Sequence, residues 1–205
     1  MELLILFGVG FSTGLSGAMI PGPLTFYIVS EAFREGQVAG LKAAAGHLLL
    51  EAGFAALIVL GLRDLFSTAT VRVAIMWVGC AGLIVMGGLL LWQLPHLSLA
   101  QRAHVAFHGG TIAGGAFFSL TSPGFLIWWA TIGASVLLEG ASAGAAGVTM
   151  VASGHALADV FWCWFLAVSV ERGRVYCSDR SYRVVMGLIA LCLIVLGIGL
   201  PLKHS

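Results

Sequence analysis

The chain has 205 residues, of which 60% are hydrophobic and only 9% charged, with a formal net charge of +1. A soluble domain carries about 25% charged residues, so this composition excludes an ordinary water-soluble enzyme or binding module. The near-zero net charge argues equally against nucleic acid and against a polybasic lipid anchor as partners.

A mean hydropathy of +1.03 and 28 glycines fit a chain dissolved in lipid, where Gly is more frequent than in soluble helices. Unpaired backbone groups are costly in hydrocarbon, so spans must be helices or a closed barrel. The apolar runs extend for ~20 residues or more rather than the ~10 alternating residues of barrel strands. The fold class is therefore all-α, a polytopic membrane protein.

Charge clusters and loop signals predict six spans at approximately 3–30, 40–62, 71–93, 109–138, 143–170 and 182–201. The first has no Lys or Arg ahead of it and exceeds the about 7–15 residues of a signal-peptide core, so it reads as a retained span. It carries Ile20-Pro21-Gly22-Pro23, which removes two backbone donors and predicts a kink or break. Gly10, Gly14 and Gly17 give it a small-residue stripe. The second span carries Gly46-His47-Leu48-Leu49-Leu50-Glu51, placing His47 and Glu51 on one helix face.

The fourth span repeats the first: Gly110 and Gly114 form its stripe, and Thr121-Ser122-Pro123-Gly124 marks its break. The fifth span repeats the second with Gly154-His155-Ala156-Leu157-Ala158-Asp159. Three spans per half is an odd number, so the second copy must be inverted relative to the first. Inverted repeats are a carrier architecture with the substrate site at the midplane. The expectation is one transporter domain, with repeat one at 1–95 and repeat two at 105–205.

Arg34, Lys42, Arg102, Arg172, Arg174, Arg180 and Arg183 fall on one side of this topology; Arg63, Arg72 and Lys203 fall on the other. The bias places the first, third and fifth loops in the cytoplasm and both termini outside. Counted from the span starts, Glu51 and Asp159 lie ~16 and ~24 Å into the membrane. An acid at such depth faces the bundle interior and meets a partner or water. Two readings stand for the His/acid pairs: a polar clamp between spans two and five, or a proton-handling transport pathway. The breaks have two readings as well. They are tolerated kinks, or they expose carbonyls and helix-end amides to a ligand, the amides favouring a carboxylate. Thr25, Thr121 and Ser122 beside them either bind that ligand or repair freed carbonyls.

The glycine stripes pack the two halves together, with a homodimer interface as their second use. Trp128-Trp129 and Trp162-Cys163-Trp164 read as packing or interface residues first and cavity walls second. His96, His104 and His108 read as a solvated loop, and the four cysteines as small core residues. No P-loop, nucleophile elbow or kinase signature occurs, so no ATP-driven or hydrolytic chemistry and no cofactor is expected.

The stretch Gly17-Ala18-Met19-Ile20-Pro21-Gly22-Pro23, the turn Arg34-x-Gly36-x-x-x-Gly40 and the following Gly46-His47 resemble the lysine-exporter (LysE/RhtB) family of small carriers. The resemblance covers essentially the whole chain. It implies export of an amino acid or similar small solute across the cytoplasmic (inner) membrane by proton antiport, with solute, protons and bilayer as partners. Many members look like Asn-Pro-Lys in span four, where this chain has Ser122-Pro123-Gly124. Related branches export divalent cations, so the alternative is a metal exporter using His47, Glu51, His155 and Asp159 as ligands.

Overall fold

The computed structural model describes residues 1–20, 22–59, 109–176 and 178–202, with scattered positions between 73 and 96. The predicted third span at 71–93 falls largely outside the described residues, as do Pro21, Cys177, His104 and His108. Every regular element among the described residues is helical.

The first predicted span is two helices. α1 (Glu2–Ala18) stops before the proline cluster, and α2 (Pro23–Glu35) begins with Pro23 in its first turn. Proline fits there because its missing N–H would have no helical acceptor anyway. The two axes meet at 77°. Gly36, at φ +67°, ends α2 and lets α3 (Gln37–Val59) start three residues earlier than the sequence suggests.

The fourth span is more divided than the sequence predicts. α4 (Gly110–Leu120) ends at Thr121. Ser122 then caps the short α5 (Pro123–Trp128), its Oγ accepting the Phe125 N–H at 3.4 Å. A π-helical stretch follows at Trp129–Gly133, and α6 (Ala134–Ser142) completes the run. Gly144, at φ +72°, turns the chain into α7 (Gly144–Gly173). The last helix, α8, spans Asp179–Leu202.

The two long packing interfaces are built alike. Along α1 and α7, a Cβ on Gly10 would fall onto the Val151 carbonyl and one on Gly154 onto the Phe7 carbonyl. Along α3 and α4, a Cβ on Gly46 would fall onto the Ile112 carbonyl and one on Gly115 onto that of Ala43. In all four cases the glycine meets the carbonyl three residues before the partner helix's own glycine. Only glycine permits this approach, and lipid-embedded helices use it to gain contact where no hydrophobic force drives them together. The stripe on α4 is therefore shifted. Gly115 replaces Gly110, where an added Cβ would meet nothing within 4 Å, and Gly114 lies against the Tyr27 ring.

Ile28, Ala32, Ala39, Ala43, Ala44, Cys163 and Ala167 form a core where α2, α3 and α7 meet. Outward faces carry large apolar residues such as Leu4 and Leu49, each 70% exposed, a surface suited to hydrocarbon rather than water. Among the described residues, the helices at Gln37–Ile58 and Gly144–Tyr176 are long and apolar enough to cross a membrane. The bent pair α1–α2 makes a third.

Candidate functional site

Gly46 and Gly154 bring α3 and α7 against the opposite half, and one residue later each helix presents its histidine. His47 and Glu51 from α3 meet His155 and Asp159 from α7, and all four are buried. Glu51 Oε1 is the hub. It accepts the Trp129 Nε1–H at 3.0 Å and the His155 Nε2–H at 3.0 Å, and it lies 3.2 Å from His47 Nε2. Asp159 stands behind it, 3.2 Å from His155 Nε2 and 3.9 Å from His47 Nε2.

Hydrogen-bond bookkeeping fixes the two histidines in opposite tautomers. Ser119 donates its hydroxyl proton to the Gly115 carbonyl at 2.7 Å. Its Oγ, 2.7 Å from His47 Nδ1, must therefore accept, so the Nδ1 of His47 carries hydrogen. His155 instead donates from Nε2. A neutral His47 thus turns the Nε2 lone pair toward a carboxylate oxygen 3.2 Å away. That contact is attractive only when one further proton lies between the two atoms.

A cavity of about 210 Å³ opens onto this cluster. Gly22 and Pro23 from the first break and Ser122 and Gly124 from the second line it together with His47, Glu51, His155 and Asp159. Pro123 occupies the first turn of α5. Its walls are mainly apolar, with Leu24, Ile28, Phe125, Trp128, Trp162 and Leu166 among them, and among the described residues no Lys or Arg lines it. Trp128 stacks on the His155 imidazole, ring centroids 4.7 Å apart and 22° between planes, while Phe125 stands edge-on to His47 at 5.4 Å.

The sequence reading missed Ser119, and the tryptophans combine the two roles it weighed. Trp128 and Trp129 pack with Ile58, Ala134 and Leu137, while Trp129 also reaches Glu51 and Trp128 and Trp162 wall the cavity. The signal for Trp129 was its place about two turns beyond the second break, where an indole N–H reaches a buried acid from the facing helix. Thr121 repairs its break by donating to the Phe118 carbonyl at 3.2 Å, whereas Thr25 lines the cavity. Cys163 is buried in the cavity wall and packs with the α2–α3–α7 core. His96 lies in a short 3-10 turn, Leu94–His96, apart from the cluster.

Three of the four clustered residues, His47, Glu51 and Asp159, each offer a ligand atom within 4.8 Å of the others. The arrangement can therefore hold protons, an ammonium group or a metal ion. It provides no nucleophile activated by a base.

No curated relative and no solved structure matches the chain. The family model for LysE type translocators matches residues 15–204, so the chain belongs to that family of membrane transporters, not enzymes.

Proposed function

We propose that the chain is a secondary exporter of an amino acid or similar small solute, driven by proton antiport across the cytoplasmic membrane. The observation that carries this reading is the contact between His47 and Glu51, which requires a proton of its own because Ser119 holds the histidine in the Nδ1–H tautomer. A protonated amine and that proton compete for the same carboxylates. Entry of the proton from outside releases the solute, and loss of the proton to the cytoplasm restores the negative site for the next one. Exchange at one site couples the two fluxes without further machinery.

Matched glycine-to-carbonyl contacts in α1–α7 and α3–α4 support reading the chain as two inverted three-helix repeats, six spans in all. The broken helices at 19–22 and 121–122 then meet near the midplane, as carriers of this architecture require. Both termini lie outside in this reading.

Uptake into inverted vesicles under an imposed pH gradient tests the proposal. Glu51→Gln and Asp159→Asn should each reduce pH-driven flux of the transported amino acid. Undiminished flux in both variants sinks the proton role.

A second reading, export of a divalent metal ion, is favoured by one observation. His47 Nε2 converges with Glu51 and Asp159 while its Nδ1–H is held by Ser119, the outer hydrogen bond that metal-ligating histidines make. Metal-dependent thermal stabilisation that disappears in His47→Ala would support it; the amino-acid reading expects none.

A further inference from the structure

Two different plugs close off the cavity along the helices that wall it. Toward the Gly144 turn stand Phe54, Ile58, Trp128, Trp129 and Leu137, large side chains whose separation would expose a broad apolar area. Toward the Gly36 turn the lining ends at Ile28 on α2, His47 on α3, Ser119 on α4 and Leu166 on α7. Beyond that line the buried side chains are Ala32, Ala39, Ala43, Ala44 and Ala167, with Val170 beside them. Parting these uncovers far less.

Outside the alanines lies a layer of hydrogen bonds. The Gln37 N–H donates to Glu171 Oε2 at 2.9 Å and the Trp164 indole to Gln37 Oε1 at 3.3 Å. Arg174 donates to the Phe33 carbonyl at 3.2 Å and Thr111 to Glu35 at 3.1 Å. Together they fasten the far end of α2 and its turn to α7 and α4. All four lie at exposed or half-buried positions, where water takes over each partner when the bond breaks.

α2 is held in a way that its neighbours are not. Glycine-to-carbonyl contacts pin α1 and α6 to α7, and α3 to α4 and α7, but among the described residues none of them reaches α2. A glycine stands at each of its ends. Gly22 is extended, at φ −153°, where the chain turns 77° from α1. Gly36 lies at φ +67°, a region that side chains other than glycine's rarely adopt. The contact surface of α2 also holds polar groups that the closed arrangement leaves unsatisfied. Ser30 is fully buried and its Oγ has no partner; Tyr182 of α8, packed on Phe33 with ring centroids 4.5 Å apart, is buried with its hydroxyl unpaired as well. A permanent apolar contact has no use for either group, whereas water reaches both once α2 lifts.

We propose that α2 is a lid that turns on Gly22 and Gly36, is held shut by Glu171 and Arg174, and opens the cavity toward the Gly36 turn. This rests on the carrier reading above and names its moving part. The glycine-pinned helices α1, α3, α4 and α7 form the frame that stays in place. Arg34, Lys42, Arg172 and Arg174 gather at this end, so the proposed topology puts the opening on the cytoplasmic side.

Hydrogen–deuterium exchange of the purified full-length protein in nanodiscs tests the lid without any substitution. Amides of residues 27–33 should exchange about tenfold faster or more than those of residues 43–51 and 155–163, because local opening frees them first. Equal protection of the three segments overturns the lid. Glu171→Ala combined with Arg174→Ala should speed exchange of residues 27–33 several-fold more and leave the other two segments unchanged. Glu171→Gln, which keeps an acceptor for the Gln37 amide, should exchange like the parent. A rise spread evenly over all helices overturns the latch.

The direction of opening is read with Thr25→Cys, a reporter in the cavity wall, after Cys80, Cys163, Cys177 and Cys192 are replaced by Ala. In oriented vesicles a membrane-impermeant thiol reagent applied at the Gly36 face should label it about tenfold faster once Glu171 and Arg174 are replaced by Ala. An unchanged rate, or faster labelling from the opposite face, overturns the proposal. Neither readout involves a solute. Flux that stays undiminished in Glu51→Gln and Asp159→Asn therefore removes the proton role while the lid stands, and a protected α2 removes the lid while the carrier reading stands.

Discussion

Gly46 on α3 and Gly154 on α7 make the same contact, each lying against a backbone carbonyl of the other half, but their surroundings differ one turn away. Ser119 stands against His47, whereas Gly14 stands against His155, where a Cβ would crowd the imidazole. At the breaks, Ser122 caps its helix and Gly22 does not. At the outer turns, Gly36 sits among Glu31, Arg34, Glu35 and Lys42, while residues 140–149 around Gly144 carry no charge. Steric contact between backbones tolerates one residue type, so it is repeated. Polar groups carry no such restriction, so matched backbone contacts flank polar groups that differ from one contact to the other.

The most severe way to probe that asymmetry is at the two acids. Glu51 Oε1 faces Trp129, His155 and His47, whereas Asp159 lies beside the two histidines and Glu51 and takes no indole hydrogen bond from Trp129. Removing one partner from a buried ion pair typically costs about 3–5 kcal/mol. Glu51→Gln should therefore lower pH-driven vesicle flux by about two orders of magnitude, and Asp159→Asn by clearly less. Equal losses would mean that the acids share one role, and the hub assignment would go.

Next in size are the glycine contacts, where the halves should respond alike. Gly46→Ala and Gly154→Ala each drive a Cβ into a backbone carbonyl that no side-chain rotation can relieve, and each should cost about 1–3 kcal/mol of stability. Gly53 lies on the same helix as Gly46 but meets nothing within 4 Å. Gly53→Ala should be neutral or stabilise by up to about 1 kcal/mol through helix propensity. Unfolding in mixed detergent micelles reads all three. A cost at Gly46 without one at Gly154 would break the symmetry of the frame itself.

Much of this frame was legible in the sequence, because Gly, Pro and intramembrane acids each have few physical uses. Pro23 and Pro123 marked helix starts, and His47, Glu51, His155 and Asp159 lay on faces that the i, i+4 spacing identifies. Ser119 was not legible. A serine in an apolar helix is unremarkable until the facing helix is known to present a histidine nitrogen at hydrogen-bond distance. The π-helical stretch at Trp129–Gly133 was hidden for a related reason: its residues form α-helix as readily, and its use is to aim Trp129 at Glu51. The role of Gly10 and Gly14 was visible as a stripe, but Gly115 rather than Gly110 matched it, since register depends on the partner helix.

Ser119 offers a finer comparison. Ser119→Ala removes the hydroxyl that holds His47 in the Nδ1–H tautomer, making the first pair resemble the second. The lost hydrogen bond is worth about 0.5–1.5 kcal/mol, so maximal flux should fall by no more than about tenfold. The sharper readout is the pH profile. A His47 free to carry its hydrogen on Nε2 can donate to Glu51 without the additional proton, and the dependence of flux on external pH should flatten. A profile of unchanged shape with lower amplitude would assign Ser119 to packing alone.

The smallest effects belong to the outer turns. Around Gly36, the Gln37 amide donates to Glu171 Oε2 at 2.9 Å, Arg174 donates to the Phe33 carbonyl at 3.2 Å, and Lys42 pairs with Glu35 at 3.0 Å. The Lys42 side chain is 46% exposed, so water and salt screen the pair, and such pairs contribute about 0–1 kcal/mol. Lys42→Met should shift the melting temperature only slightly at low ionic strength and not at all in high salt, where the parent has already lost the interaction. Glu171→Gln keeps an acceptor for the Gln37 amide and should cost less still. The turn at Gly144 has no comparable charges, so any salt dependence of stability should vanish when the Gly36 turn is neutralised. Salt dependence that survives Lys42→Met and Glu171→Gln together would place its source elsewhere and leave the two turns energetically equivalent.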